Sequence, residues 1–363
     1  MAALAISSNS TPRLHALRRE PCRQAGTPLA LRRLLNLISL VKPSRSHHNP
    51  AAVVLLALFA FIPVLVAGLG YAIVGEPYRP IFKRHRLPLP GAWPNVSIVH
   101  ISDLHVRRDD LRLLRAQKAA LKGLAPDLLC ITGDVCEKVQ DIPLLVDLLN
   151  TVRPRLGTFI VLGNHEHNAH APAHLREQHD RGWRRLLGLL LHPFSPRLRS
   201  DGDDEGHAMA DALCAAGFTV LHNEGRRVQL DGDSLWIAGC DSAWAGHADM
   251  QAAMRGRRPN EACLALIHEP DLAFEAHEQG ADLILAGHTH GGQVRFPLLG
   301  APYTLRMDPR IAIAAGFQRI EAALLHITTG LGHTIPLRFG CPPEVVWLDC
   351  QPTVEPSELS LAA

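Results

Sequence analysis

Two histidines, His288 and His290, stand one residue apart among glycines in AGHTHGGQVRFP, residues 286–297. Similar small polar clusters recur earlier. SDLH carries Asp103 and His105, TGDV carries Asp134, LGNHEH carries Asn164 and His165, and LIHEP carries His268. Together these side chains offer carboxylates, one amide oxygen and imidazoles, with no thiolate. That mixed oxygen and nitrogen set suits a hard or borderline divalent ion such as Mn, Fe or Zn, and not a soft-metal or structural zinc site. The inventory also exceeds what one ion needs. Two ions roughly 3.5–4 Å apart can share a bridging carboxylate, acidify a water between them and clamp the oxygens of an in-line displacement at phosphorus. Asp134, alone on its glycine-preceded turn, is the natural bridge. His288 and His290 would then each take one ion of the pair.

The elements that must position these groups can be read from the apolar runs they close. VSIVHISD (96–103), DLLCITGD (127–134) and TFIVLGN (158–164) are strand-like, and leucines at helical spacing fill 109–123 and 141–153 between them. LWIAGCD (235–241), CLALIHEP (263–270), ADLILAGH (281–288) and ALLHITTG (323–330) add further strands. Strand–helix–strand alternation predicts an α/β fold with βαβ units on a sheet buried on both faces. Ligands of such sheets bind beyond the carboxyl ends of the strands, so all eight polar residues can reach one site. Residues two apart on a strand share a face, which is why His288 and His290 are expected to converge. Gly133, Gly163, Gly287, Gly291 and Gly292 let the backbone turn tightly beside the ligands.

Each cluster alone reads as a turn with a surface histidine. Five in order, each closing a predicted strand, do not arise by coincidence. Other histidines carry less. HEHNAHAPAH reads as a solvated loop past Asn164 and His165, leaving His167, His170 and His174 without a role. His100 and His326 lie on strand patterns as core or edge residues. Cys136, Cys240 and Asp241 lie near strand ends with no assigned part. The polar stretch 171–205 reads as a long loop or inserted helical excursion.

The composition bounds the rest. The 363 residues are 47% hydrophobic and 20% charged, with a net charge of +2 and 21 histidines. These are globular values, and the near-neutral balance argues against nucleic acid as a partner. The eight cysteines form no CxxC pair, and Cys130 and Cys263 read as small buried hydrophobes. Residues 51–75 carry no charge. About 20 apolar residues cross a bilayer as a helix, so this run is expected to anchor the protein in a cell membrane as a single pass. Before it, residues 1–50 hold eight Lys or Arg and one acid, Glu20, and read as a disordered basic extension. Within about 20 residues of the span the basic residues balance, which leaves the orientation open. Residues 76–95 hold five prolines and read as a linker. A catalytic domain over 96–350 and a tail over 351–363 complete the organisation.

The ordered set DLH, GDV, GNHE, HEP and GHTHGGQ resembles the calcineurin-like metallophosphoesterase superfamily. With PLLG just after it and TTGLGHTIPLRFGCPPEV at 328–345, the last motif is similar to the bacterial membrane-associated branch. The resemblance covers about 95–350. It implies a two-sheet β-sandwich flanked by helices and two divalent metal ions. It further implies that Asp103, His105 and His290 bind one metal, that Asn164, His268 and His288 bind the other, and that Asp134 bridges. His165 is implied to touch the scissile phosphate and protonate the leaving oxygen. The expected function is hydrolysis of a phosphoester or pyrophosphate bond in a phosphorylated small molecule or lipid-linked compound. UDP-diacylglucosamine, cleaved by some relatives, is a candidate. A catalytically silent metal-binding scaffold on the same fold is the alternative, against which the intact ligand set weighs.

Overall fold

The computed structural model describes residues 50–91, 93–167, 203–305 and 308–353. The extension over 1–49, most of the 171–205 excursion with His170 and His174, and the tail from 354 lie outside them. In chain order the elements are α1 (Pro50–Val74), β1 (Ile81–Leu89), β2 (Val96–Ile101), α2 (Leu111–Leu121), β3 (Leu128–Thr132), α3 (Ile142–Leu149) and β4 (Gly157–Val161). There follow α4 (Asp203–Ala215), β5 (Thr219–Val220), β6 (Glu224–Leu230), β7 (Asp233–Gly239), α5 (Met250–Ala253) and β8 (Ala262–Leu266). Last come α6 (Ala273–Glu278), β9 (Leu283–Ala286), β10 (Gly316–Ile320), β11 (Ala323–Ile327) and β12 (Glu344–Pro352).

The strands form two six-stranded sheets instead of the single sheet that strand–helix alternation suggests. One is ordered β1-β12-β2-β3-β4-β5 and the other β10-β11-β9-β8-β7-β6. The run β2 to β5 is parallel, as is β7-β8-β9-β11. Successive side chains on a strand point to opposite faces, and this alternation builds three cores. Ile98, Leu128 and Cys130 face Ile237, Leu264 and Leu285 between the sheets. Val99, Leu129 and Ile131 face outward onto Leu121 of α2, Leu145 of α3 and Leu213 of α4. Cys263, Ala265 and Ile284 face Ala253 of α5 and Ala276 of α6. A helix layer, two sheets and a second helix layer result: the two-sheet sandwich flanked by helices. Cys130 and Cys263 are buried as small apolar residues, and His100 and His326 are core residues whose Nδ1 atoms lie 3.0 Å apart.

The compact unit begins at Ile62, and two boundaries differ from expectation. Residues 76–95 are not a linker, because β1 pairs in parallel with β12 along its whole length. Its prolines hid it: Pro88 lacks an N–H, which an edge strand tolerates, and β1 is an edge. Leu87 and Leu89 alternate into the inter-sheet core. At the other end, β12 continues to Pro352, past the expected boundary at 350. α1 contains Pro63, and the stretch Phe59–Tyr78 that begins in it is long and apolar enough to cross a membrane, with the large apolar side chains from Phe59 to Val74 exposed.

Because Leu89 is 1% exposed, Leu89→Ala should lower stability by about 2–5 kcal/mol, the usual cost of truncating a buried leucine. Urea titration reads this directly. A change under about 0.5 kcal/mol, typical of a surface site, would return β1 to the status of a linker.

Candidate metal centre

All eight residues singled out by the sequence lie in loops at the carboxyl ends of strands. β2, β3 and β4 supply Asp103, His105, Asp134, Asn164 and His165 from one sheet; β8 and β9 supply His268, His288 and His290 from the other. His288 and His290 are not on the strand, which ends at Ala286. Their rings diverge: His288 Nδ1 lies 3.0 Å from Asn164 Oδ1, whereas His290 Nε2 lies 3.3 Å from His105 Nε2. The backbone explains this. Asp103, His105, Asp134, His288 and His290 all have φ between 45° and 68°, a left-handed region that non-glycine residues seldom enter. Such strain persists only where surroundings over-determine it. Here Asp103 N–H donates to Gly133 O (3.0 Å), His105 N–H to Asp134 O (2.9 Å), and His288 N–H to the Asp103 carboxylate (3.1 Å). At Gly287 a Cβ would collide with Ser102 Oγ and the Asp103 carboxylate, so glycine is required there.

The side chains gather in two groups. In the first, His290 Nε2 lies 3.5 Å from Asp103 Oδ1, and His105 Nε2 lies 3.6 Å from Asp134 Oδ2. In the second, His268 Nε2 lies 3.1 Å from Asn164 Oδ1 and 3.2 Å from His288 Nδ1. Asp134 Oδ2 is also 3.4 Å from His268 Nε2, so one carboxylate oxygen touches both groups. All seven are buried. His165 stands beside them with Nε2 4.0 Å from Asp134 Oδ2, and its backbone N–H donates to Asp134 Oδ1 (3.1 Å).

Proton counting tests whether this fits metal ions. His268 Nδ1 donates to Thr132 O (2.7 Å), which leaves Nε2 with a lone pair aimed at Asn164 Oδ1 and Asp134 Oδ2. His105 Nδ1 donates to Glu137 Oε1 (2.8 Å), so its Nε2 likewise presents a lone pair to Asp134. Acceptors facing acceptors at these distances need a cation between them. Without metal the chain recruits protons. Burial pulls the His268 imidazole down, but Asp134 outweighs it and raises the pKa well above the ordinary value. Burial likewise pushes the Asp134 carboxyl up, yet His268 and His165 hold it well below the carboxylate range. His288 and His290 are lowered, chiefly by burial and then by a neighbouring histidine, and are neutral as ligation requires. The donor set and its charge deficit suit a pair of divalent ions.

Groups that the sequence left unassigned, the half-buried Glu137 and the buried Glu166, Glu269 and Arg338, hold this geometry. Glu137 accepts from His105 and reaches His165 Nδ1 at 3.4 Å with its other oxygen. Glu166 accepts the N–H groups of Asp134 (3.0 Å), Val135 (2.7 Å), Cys136 (3.3 Å) and Gly163 (2.7 Å), tying the loop after β3 to the loop after β4. Glu269 does the same next door, accepting from the Ser242 hydroxyl (2.5 Å) and Ala243 N–H (3.0 Å). Arg338 is wholly buried and donates to Thr329 O and Gly332 O, with Nη2 3.4 Å from His290 Nδ1. HEHNAHAPAH is therefore not solvated at its start. Glu166 and His167 are buried, and His167 Nε2 lies 2.8 Å from Asp241, which also meets His222 at 2.7 Å. Glu166 and Glu269 each follow a site histidine directly, and that adjacency was the available signal. Arg338 lies inside the 328–345 stretch that carries the resemblance, where no residue type or spacing marks its role.

Comparison with known proteins agrees with this geometry. A family model described as calcineurin-like phosphoesterase matches residues 96–292. Phosphodiesterase YaeI of Escherichia coli (strain K12) is 28% identical over 289 residues, covering 78% of this chain and 93% of that protein. UDP-2,3-diacylglucosamine pyrophosphatase LpxG of Chlamydia trachomatis serovar D is 26% identical over 277 residues, covering 70% of this chain and 83% of that protein. A transmembrane protein with metallophosphoesterase domain from Bos taurus is 29% identical over 320 residues, covering 81% of this chain and 62% of that protein.

Glu137→Gln should weaken Mn binding about 10–100-fold, the usual cost of removing a carboxylate that orients a ligating histidine. Calorimetric titration of the metal-stripped chain measures it. Unchanged affinity would mean that His105 needs no such support.

Proposed function

The chain belongs to the calcineurin-like phosphoesterases, and from that premise we propose that it is a dinuclear hydrolase of a phosphodiester or pyrophosphate bond in a lipid-linked or envelope compound. That it is a metallophosphoesterase, a hydrolase of phosphoester bonds with buried His and Asp metal-site groups, follows from the family match and those clusters. The carrying observation for the finer reading is the pair of acceptor groups meeting at Asp134.

On this reading Asp103, His105 and His290 hold one ion, Asn164, His268 and His288 hold the other, and Asp134 bridges. Two bound divalent ions would supply an acidified water and positive charge against the phosphoryl oxygens. The chain's own residues do the rest. His165 is the general acid. Burial opposes its proton, but Asp134 and then Glu137 raise its pKa to about 9, so it is protonated at neutral pH in the metal-free chain. Glu137 fixes its ring through Nδ1 and the Asp134 carboxylate fixes its backbone. His165 then delivers its proton to the departing oxygen.

Three observations support the substrate class: the apolar exposed helix α1, a membrane-spanning relative, and a relative named for cleaving UDP-2,3-diacylglucosamine. The test uses the full chain in detergent micelles with Mn. Turnover of bis(p-nitrophenyl) phosphate and release of UMP from UDP-2,3-diacylglucosamine are both expected, and chelation should abolish both. Aryl diester turnover without UMP release would remove this substrate and leave the reaction class.

Two substitutions probe the roles. Asp134→Asn should abolish activity and reduce bound metal below two per chain; two full equivalents by elemental analysis with normal turnover would refute the bridge. His165→Ala should lower kcat by about 10²–10⁴, the worth of a positioned general acid, with both metals retained. Nitrophenolate esters should suffer less than alkyl esters, since their leaving groups need no proton. Loss of a metal would make His165 a ligand instead.

A further inference from the structure

Immediately after the His290 turn, the chain forms a small hairpin whose tip is apolar and exposed. Phe296 and Gly300 exchange backbone hydrogen bonds of 2.9 Å in each direction, and the four residues Phe296, Pro297, Leu298 and Leu299 are all exposed. Leu298 is fully exposed in a left-handed conformation, and Leu299 is 83% exposed. Four consecutive exposed apolar residues mark a binding surface unless something covers them. The position of the hairpin says what would.

One segment, 337–343, ties the hairpin to the end of α1. Phe339 N–H donates to Gln293 O (2.9 Å) and receives Arg295 N–H on its own carbonyl (2.7 Å). The preceding residue, Arg338, donates its N–H to Ala72 O of α1 (2.9 Å). Gly340 and Cys341 donate to the Glu76 carboxylate (3.1 and 2.6 Å), and Pro343 O accepts from Ile81 N–H (2.9 Å). Arg338 and Phe339 are consecutive, and backbones hydrogen-bonded to consecutive residues lie within about 10 Å of each other. The hairpin base and the last turn of α1 are therefore neighbours. Ile81 and Phe82, just after α1, are exposed apolar residues on the same segment's other end. Tyr71 and Arg79, stacked at 5.8 Å, and Lys83 lie at this level, the residue types that sit at a membrane–water interface.

We propose that the hairpin Val294–Gly300 is a second membrane contact, its Phe296, Leu298 and Leu299 side chains entering the same lipid surface that α1 crosses. It rests on the reading of α1 as an anchor. The consequence for the enzyme is direct: the hairpin leaves the site turn within a few residues of His290, so its insertion holds the metal centre against the headgroup layer, where a lipid-linked phosphoester is presented.

The test is photolabelling of the full chain in phosphatidylcholine vesicles that carry a diazirine on the acyl chain. Trypsin releases the hairpin tip as residues 296–306 and, because Arg79 precedes Pro80 and is not cut, α1 within residues 46–83. Lipid adducts are expected on both peptides. The double variant Leu298→Asp, Leu299→Asp should lose adducts on the hairpin peptide and keep those on α1. Adducts on α1 with none on the hairpin above the level of the solvent-facing strand β6 would overturn the hairpin contact. Absence of adducts from both peptides would overturn the anchor beneath it.

Discussion

The Asp134 carboxylate carries the charge balance of the whole centre. It is 2% exposed, and one of its oxygens lies 3.4–4.0 Å from the imidazoles of His268, His105 and His165. A buried anion is tolerated only when paired, and here the paired groups are themselves mostly lone-pair donors. The histidines cannot all be neutral while the carboxylates stay charged unless something positive enters. Protons fill that role in the bare chain, which is why His268 is driven up while His288 and His290 are driven down. Cations of higher charge fill it better. The surrounding structure exists to keep these acceptors apart by fixed distances until such cations arrive.

That fixing is done by backbone hydrogen bonds to buried carboxylates and not by the ligands. Glu166 binds four amides across two loops, and Glu269 binds a hydroxyl and amides of a third. Every oxygen of both has a donor, which offsets part of the cost of burying them. The left-handed conformations at Asp103, His105 and Asp134 are then held from both sides, with Gly287 giving the close approach that joins the second sheet to the first. The site straddles the two sheets, so it forms only when the inter-sheet core of Ile98, Leu128, Leu264 and Leu285 has closed. Folding and metal affinity are coupled through that seam.

A second dependency runs outward from His290. Arg338 reaches its ring from a segment that also bonds the end of α1 and the hairpin beyond the site. Burial lowers the Arg338 guanidinium from its usual range, and it is sustained by three carbonyl acceptors at 2.7–3.1 Å. The apolar helix, the edge strand β1 and the ligand turn thus share one piece of backbone. Anything that moves the helix end relative to the domain moves the support of a site histidine.

The sequence by itself determined which polar groups meet, because residue type and order are local facts. DLH, GDV, GNHE, HEP and GHTH each end an apolar run, and the eight residues they name are the ones found together. Seven of the strands and two of the helices were equally legible from periodicity, which burial of one face enforces. Tertiary structure decided the rest. Alternation of strands and helices cannot distinguish one sheet from two, since it records burial and not partners. β1 was hidden because prolines suit an edge strand as well as a linker, and only pairing with β12 separates them. His288 and His290 part company because positive φ, set by the bond to Asp103 far away in sequence and by the close approach at the adjacent Gly287, overrides the period-two geometry of a strand. Glu137 and Arg338 acquire their roles only from what lies across the loop, a relation that no spacing in the chain encodes.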